Sequence, residues 1–168
     1  MEKKYRKNVG VVVTKKGKVL LCARADQKKL QWQFPQGGME AGEKIEEAAL
    51  RELKEETGIS SVRLRAIFPQ AIRYDFPREL VKKWNDKNPF KKNNYAGQEQ
   101  HWVLFDFYGK DKEIDFLTHP EEIEFKAFKW ADISEAVESI VSFKKEVYQK
   151  VSEYFKPFIE EKEDEQQV

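Results

Sequence analysis

An α/β fold, with a mixed β-sheet between helices, is the class this sequence predicts, and three observations predict it. Near the N-terminus, "NVGVVVT" and "KVLLCAR" are nearly continuous apolar runs, as expected of strands buried on both faces. Two longer segments, 43–57 and 139–155, carry apolar residues at helical spacing. Between and after them lie further strand-like runs, "EQHWVLFDFYG" and "FKAFKWADI". Strands interleaved with helices in this way bury both faces of one sheet.

Taken in order, Asn8–Thr14 and Lys18–Arg24 form a hairpin across a Lys-Lys-Gly turn. Ala25–Gln31 is a polar, lysine-rich loop, and "WQFPQGG" leads through Pro35 into glycines. The first long helix is expected from about Glu43 to Thr57, closed by Gly58 as its C′ residue. Ser61–Phe76 reads as extended chain broken near Pro69, and Pro77–Trp84 as a short amphipathic helix. Asp86–Gln98 is a long loop rich in Lys and Asn. Glu99–Gly109 is the central strand, and Phe125, Phe128 and Trp130 then alternate with lysines. Ser139–Phe155 is predicted as one helix, with Ile140, Phe143, Val147, Val151 and Tyr154 on its apolar side. The acidic residues 159–168 are expected to be a disordered tail, leaving 1–158 as a single domain.

A net charge of +1 excludes a chain-wide attraction to polyanions, so any nucleic-acid contact must come from local patches. Cys22, the single cysteine, sits in an apolar run and reads as a buried strand thiol. No apolar run approaches the about 20 residues that span a bilayer, and no signal-peptide pattern follows the basic N-terminus. A cytoplasmic monomer without membrane or DNA partners is expected. His101 and His119 lack metal-ligand spacing.

The helix at 43–57 poses the functional question. On a wheel of about 100° per residue, Ile45, Ala48, Ala49 and Leu53 mark its buried side. Glu52, Glu55 and Glu56 fall among or beside them rather than opposite. Carboxylates at i, i+3 and i+4 share one face; so close to a core they repel one another, and desolvation raises at least one pKa. A positive group is expected there. Hard Mg²⁺ or Mn²⁺, which takes oxygen ligands, suits the cluster. Glu52 and Glu56, one turn apart, are the direct ligands, and Glu55 reaches a second ion directly or through water. Backbone carbonyls of the preceding glycine loop can also turn toward a cation.

Gly37, Glu43, Arg51, Glu52, Leu53, Glu55, Glu56, Gly58 and Ile59 occupy every fixed position of the pattern Gly-x5-Glu-x7-Arg-Glu-U-x-Glu-Glu-x-Gly-U, with U aliphatic. This stretch resembles the Nudix box. The resemblance implies a Nudix-type α/β/α sandwich with a mixed β-sheet. It also implies hydrolysis of a nucleoside diphosphate linked to another moiety, with more than one divalent ion bound by Gly37, Glu52, Glu55 and Glu56. Glu43 and Arg51 would then hold the glycine loop onto the helix. Members often use a further glutamate on a later loop; of Glu121, Glu122 and Glu124, the aromatic pattern that follows favours Glu124 as extra ligand or general base.

The flanks "YRKNVGVVV", "WQFPQGGMEAGE", "IRYDFP", "GQEQHW" and "VSFKKEVY" are similar to one branch of that family. It holds bacterial RNA 5′-pyrophosphohydrolases and asymmetric dinucleoside polyphosphate hydrolases. The implied substrate is 5′-triphosphorylated RNA or a dinucleoside polyphosphate such as diadenosine tetraphosphate. By position, Arg6 and Arg24 would bind phosphate oxygens, Tyr74 the nucleotide, and Val141, Ser142, Phe143 and Lys144 a base near the 5′ end. Phe143 also fits a core position, and Lys144 a solvated one. The segment "KWNDKNPFKKNNYAGQ", with Lys82, Lys83, Lys87, Lys91 and Lys92 in or beside it, is longer than expected of the RNA enzymes and leans toward the dinucleotide enzymes. A non-catalytic, RNA-binding module is the further alternative, and the intact carboxylate set argues against it.

Overall fold

Strands apolar on both faces can be buried only between two layers, and the N-terminal runs accordingly take the middle of the molecule. In the computed structural model, residues 4–90 and 94–167 are described, with side chains as far as Glu161; Lys91 and Lys92 lie outside the described residues. The two runs form β1 (Tyr5–Lys15) and β2 (Lys18–Arg24). β7 (Gly97–Phe107) lies parallel to β1 from Tyr5↔Gly97 to Thr14↔Asp106. Every other strand pairing among the described residues is antiparallel. β5 (Val62–Ile67) and β6 (Ile72–Asp75) pair with β7. On the other side, β3 (Trp32–Gln33) and β8 (Phe125–Ala131) pair with β2, and β4 (Gln36–Gly38) with β1.

The two faces of this mixed sheet are covered by different helices. Val11, Val13, Leu20, Cys22, Val103 and Phe105 pack with Ala49 and Leu53 of α1 (Ile45–Thr57). Val12, Leu21, Trp102 and Leu104 point the opposite way. They pack with Ala136 of α3 (Ile133–Ser139) and with Tyr148, Val151 and Phe155 of α4 (Lys145–Gln167). Burying one such aliphatic side chain is worth about 1.5–3 kcal/mol, so residues that alternate along a strand commit it to both layers. The result is the expected α/β/α sandwich. α2 (Arg78–Lys87) stands apart and buries none of its residues. No helix of the described residues is long and apolar enough to cross a membrane.

Several boundaries differ from the sequence reading. α1 starts at Ile45 because Glu43 is engaged in the preceding turn, where its N–H donates to the Glu40 carbonyl at 3.1 Å. Its end is as expected: Gly58 takes φ 77° and donates to the Lys54 carbonyl, a left-handed cap that a side chain would strain. The second amphipathic helix continues past Trp84 to Lys87.

The single helix expected over 139–155 is two helices. Ile140 and Val141 are extended, with ψ of 151° and 145°, so α3 ends, a 3-10 turn at Ser142–Lys144 follows, and α4 begins at Lys145. The tail expected from 159 is also revised. α4 passes through Pro157, and Ile159 is buried in the core beside Phe155, because the apolar spacing continues past 158.

Candidate active site

The pairing Val9↔Gly37 and Asn8↔Gly38 lays the glycine strand β4 along β1, directly beneath α1. A Cβ on Gly37 would come within 2.0 Å of the Glu52 carboxylate. Only glycine lets the backbone approach that acid so closely.

Arg51 ties the two elements together. Its Nε and Nη2 donate to the two oxygens of Glu43 at 2.7 and 2.8 Å, a bidentate fork, and Nη2 also donates to the Gly38 carbonyl at 2.9 Å. Nη1 reaches Glu52 at 2.9 Å and Glu55 at 3.3 Å. Glu43 in turn accepts from the Glu40 N–H at 2.7 Å. Its hydrogen bonds from Arg51, then from Glu40, hold the Glu43 carboxyl down at about 2. Glu43 first, then Glu52, raise the Arg51 guanidinium above its ordinary value against its burial. These contacts join the glycine loop to α1.

Glu56 is treated differently. Its Oε2 is buried with no hydrogen-bond partner. Burial, followed by the charges of Glu52 and Glu124, pushes its carboxyl up to about 10. Burial also raises Glu52, against the pull of Arg51. Arg51 brings positive charge to Glu52 and Glu55 but does not reach Glu56, so it does not stand in for the cation expected beside the three carboxylates. With oxygens of Glu52 and Glu55 turned to Arg51, no three His, Cys, Asp or Glu side chains among the described residues converge as a finished ligand set. An orphaned buried carboxylate oxygen beside a glycine cradle, in an all-oxygen donor set, nevertheless fits a hard divalent cation.

These acids open into a cavity of about 330 Å³. Glu52, Glu55 and Glu56 line it from α1, Gly37 from β4, and Arg6 and Arg24 from the strands opposite. Glu122 and Glu124 line it too, whereas Glu121 does not. The Glu124 charge acts on both Glu56 and Arg24, so this acid lies close to each. The Ala25 N–H donates to the Glu124 carbonyl at 2.8 Å, fixing that loop to the end of β2. Arg24 is already engaged: Asp26 accepts from its Nε at 2.9 Å and its Nη2 at 2.6 Å.

The NUDIX domain family matches residues 4–151 of this sequence. The chain belongs to the Nudix family. An RNA pyrophosphohydrolase of Caulobacter vibrioides is 44% identical, over 92% of this chain and 87% of its own. One from Erythrobacter litoralis is 42% identical, over 93% of each. The chloroplastic Nudix hydrolase 27 of Arabidopsis thaliana is 40% identical, over 95% of this chain and 70% of its own. Among solved structures, the E. coli dihydroneopterin triphosphate pyrophosphohydrolase superposes with a TM-score of 0.62 at 22% identity, over 88% of this chain and 97% of that one. The same Nudix fold relates it to a C. elegans Ap4A hydrolase, with a TM-score of 0.59 at 19% identity, over 89% and 97% of the two chains. Nudix hydrolases as a family work with divalent cations.

The other residues singled out in the sequence fall outside this Nudix cavity. Tyr74 is buried, with its ring against Phe76 and Phe143, and its hydroxyl donates to Gln98 Oε1 at 2.6 Å. Burial raises its phenol. Phe143 is half-buried on the 3-10 turn, and Lys144 is buried, with no ion pair among the described residues. Burial, then the nearby Arg24 charge, lowers the Lys144 ammonium to about 8. Val141 and Ser142 share the turn, with Ser142 exposed.

Sequence reasoning overlooked a polar floor. Asn8, Gln33, Gln36, Gln98 and His119 line the cavity. Buried Gln100 lies among Asn8, Gln36 and Gln98 at 3.0–3.2 Å, and its carbonyl accepts from the Trp102 indole at 3.2 Å. The available signal was glutamine at 98 and 100, side chains two apart on the face that continues with Trp102 and Leu104.

Proposed function

We propose that this protein removes pyrophosphate from the 5′ end of triphosphorylated RNA, by attack of water on the polyphosphate chain within the cavity at α1. The reaction class, hydrolysis of a pyrophosphate bond, comes with the family; the substrate is the proposal. The observation that carries it is the 42–44% identity, over nearly the whole length of both chains, to RNA pyrophosphohydrolases. One water is consumed and one anhydride bond is broken, leaving a 5′-monophosphorylated RNA and pyrophosphate.

Glu52, Glu55, Glu56 and the Gly37 carbonyl would hold the cations, Mg²⁺ or Mn²⁺ by their oxygen donors, with donors enough for more than one ion. Bound there, the ions would neutralise the phosphates and lower the pKa of the attacking water. Glu124, facing the same cavity, takes the water's proton. Arg6 and Arg24 bind phosphate oxygens through their guanidinium edges; Arg24 does so with the groups that Asp26 leaves it. Beyond the cavity, Val141, Ser142, Phe143 and Lys144 hold a base near the 5′ end, Phe143 by stacking and Lys144 as the cation beside it.

The test is parallel turnover of 5′-triphosphorylated RNA and diadenosine tetraphosphate with Mg²⁺, identifying every product. Pyrophosphate released from RNA at the higher kcat/KM is the expected result. Cleavage of the dinucleotide to ATP and AMP, with RNA untouched, would replace this reading with that of an asymmetric dinucleoside polyphosphate hydrolase. Binding of RNA without turnover of either substrate would make the protein a non-catalytic module.

A further inference from the structure

α2 buries none of its ten residues, whereas α1 and α3 each bury part of one face. A helix this short is marginal on its own; Trp84, packed edge-on against Phe76 at 5.3 Å, attaches it to the domain. Arg78, Lys82 and Lys83 lie on the arc away from that contact and Lys87 beside it, and all four are exposed. Glu79 and Lys83, and likewise Lys82 and Asp86, have the i, i+4 spacing at which helical ion pairs form. Yet none of the four cations makes an ion pair among the described residues. Where the helix ends, Phe90 is 99% exposed, and Tyr95 is 43% exposed just before β7. A fully exposed phenylalanine beside cations with no ion pair among the described residues points to a ligand that is both anionic and aromatic.

The place of this face in the fold narrows the ligand further. The Phe76 N–H donates to the Ala96 carbonyl at 2.8 Å, and Tyr74 pairs in register with Gln98. Gln98 lines the acidic cavity, opposite Arg6 on β1. Phe76 therefore lies two strand residues from the cavity wall, about 7 Å along the strand direction, and α2 starts two residues further on, at Arg78. A strand whose 5′ phosphates lie in the cavity and whose chain leaves past Arg6 meets α2 next.

We propose that the cationic face of α2, with Phe90, is a second RNA-contact surface, taking the single-stranded segment downstream of the nucleotides held at the cavity. The lysines meet successive phosphates without reading sequence, and Phe90 stacks on an unpaired base. This proposal rests on the reading of the substrate as RNA. Its consequence is a preference for long over short RNA ends.

The experiment compares a triphosphorylated 12-nucleotide single strand with a triphosphorylated dinucleotide, using wild type, the triple variant Lys82→Ala, Lys83→Ala, Lys87→Ala, and Phe90→Ala. For the triple variant, kcat/KM on the 12-mer should fall about tenfold at low salt, and the log–log salt slope should become shallower by about 2, roughly 0.7 for each phosphate no longer neutralised. Turnover of the dinucleotide and the melting temperature should not change, which shows that the fold is intact. Phe90→Ala should weaken the 12-mer without altering the salt slope. Equal kcat/KM and equal salt slopes for wild type and triple variant on the 12-mer would overturn the surface. If wild type cleaves diadenosine tetraphosphate but neither RNA, the functional reading has failed separately. The surface is then judged by fluorescence anisotropy of the labelled 12-mer, and equal affinity for wild type and triple variant would reject it.

Discussion

Two cations near the cavity, Arg51 on α1 and Lys144 on the turn before α4, are placed in opposite ways. Arg51 is met by Glu43, Glu52, Glu55 and the Gly38 carbonyl, all within 3.3 Å. Lys144 is buried with no counter-charge among the described residues, and the aromatic ring of Phe143 lies 5.9 Å from its ammonium. Burying a charge costs free energy unless it is paired. Arg51 is therefore part of the fold, holding loop to helix. Lys144 is a liability to the fold, which the proposed function explains by an anion arriving with the substrate. On the α1 side the same contrast recurs in reverse, because Glu56 is the carboxylate that Arg51 does not reach.

The largest expected effect breaks the α1 side. Glu56→Gln keeps the volume and removes the charge that would hold a cation, so nearly all turnover should be lost while circular dichroism is unchanged; EDTA should do the same to wild type. Turnover within about tenfold of wild type, a barrier change of only about 1.4 kcal/mol, would remove Glu56 from the essential set.

Glu124→Gln should follow, with kcat lower by about 10²–10⁴ and the rising limb of its pH–rate profile lost, as expected of a missing general base. An unchanged profile would transfer the role to Glu122, which shares the cavity wall.

The Lys144 side is broken by the double variant Phe143→Ala, Lys144→Ala. Stacking is worth about 1–3 kcal/mol per base, so kcat/KM on triphosphorylated RNA should fall about tenfold or more, with a much smaller loss on a free nucleoside polyphosphate. An equal fall on both, with a lower melting temperature, would mean that Phe143 serves packing against Tyr74.

Glu43→Gln should reduce turnover less than Glu56→Gln, since it loosens the loop without removing a ligand. Its signature is in stability: a carboxyl held at about 2 stabilises the fold above its unfolded value of 4.5, and that contribution disappears as pH falls from 4.5 toward 2. Acid melting curves of the variant should lack this loss. Curves parallel to wild type would show that the Arg51 fork contributes nothing.

The smallest effect concerns Lys144 alone. Its ammonium titrates near 8 in the fold and at 10.5 when unfolded, so the unfolded chain holds more protons between those values and stability rises with pH across that window. Lys144→Met should raise the melting temperature at pH 7, by about 2–4 °C for each kcal/mol recovered in a chain of this size, and should abolish the rise between pH 8 and 10.5. A lower melting temperature at pH 7 would show that the ammonium is already stabilised within the fold.

The Arg51 side was legible in the sequence and the Lys144 side only in part. Glu43, Arg51 and the three α1 carboxylates lie within 14 residues, and helix geometry alone brings most of them to one face. Lys144, Phe143 and Tyr74 meet across some 70 residues of chain. No local spacing reports that Ile140 and Val141 leave the helix, nor that the lysine after Phe143 points inward. Glu124 was singled out by its position relative to Phe125, yet whether Glu121, Glu122 or Glu124 faces the cavity depends on how the segment before β8 is tied to Ala25.

By itself the sequence determined the two-layered burial of the sheet, the capped helix at Gly58, and the cluster of acids along one face, because each follows from the period of a strand or helix. The tertiary structure alone decided which acid Arg51 does not reach and which carboxylate oxygen, Oε2 of Glu56, is left without a hydrogen bond, since the donors of Arg51 go to Glu43, Glu52, Glu55 and Gly38. It also decided that Gln98 and Gln100 build a polar floor rather than a solvated edge, and that four cations of α2 make no ion pair among the described residues. Those outcomes depend on which strands lie side by side, and that is settled by the packing of the whole chain rather than by any stretch of it.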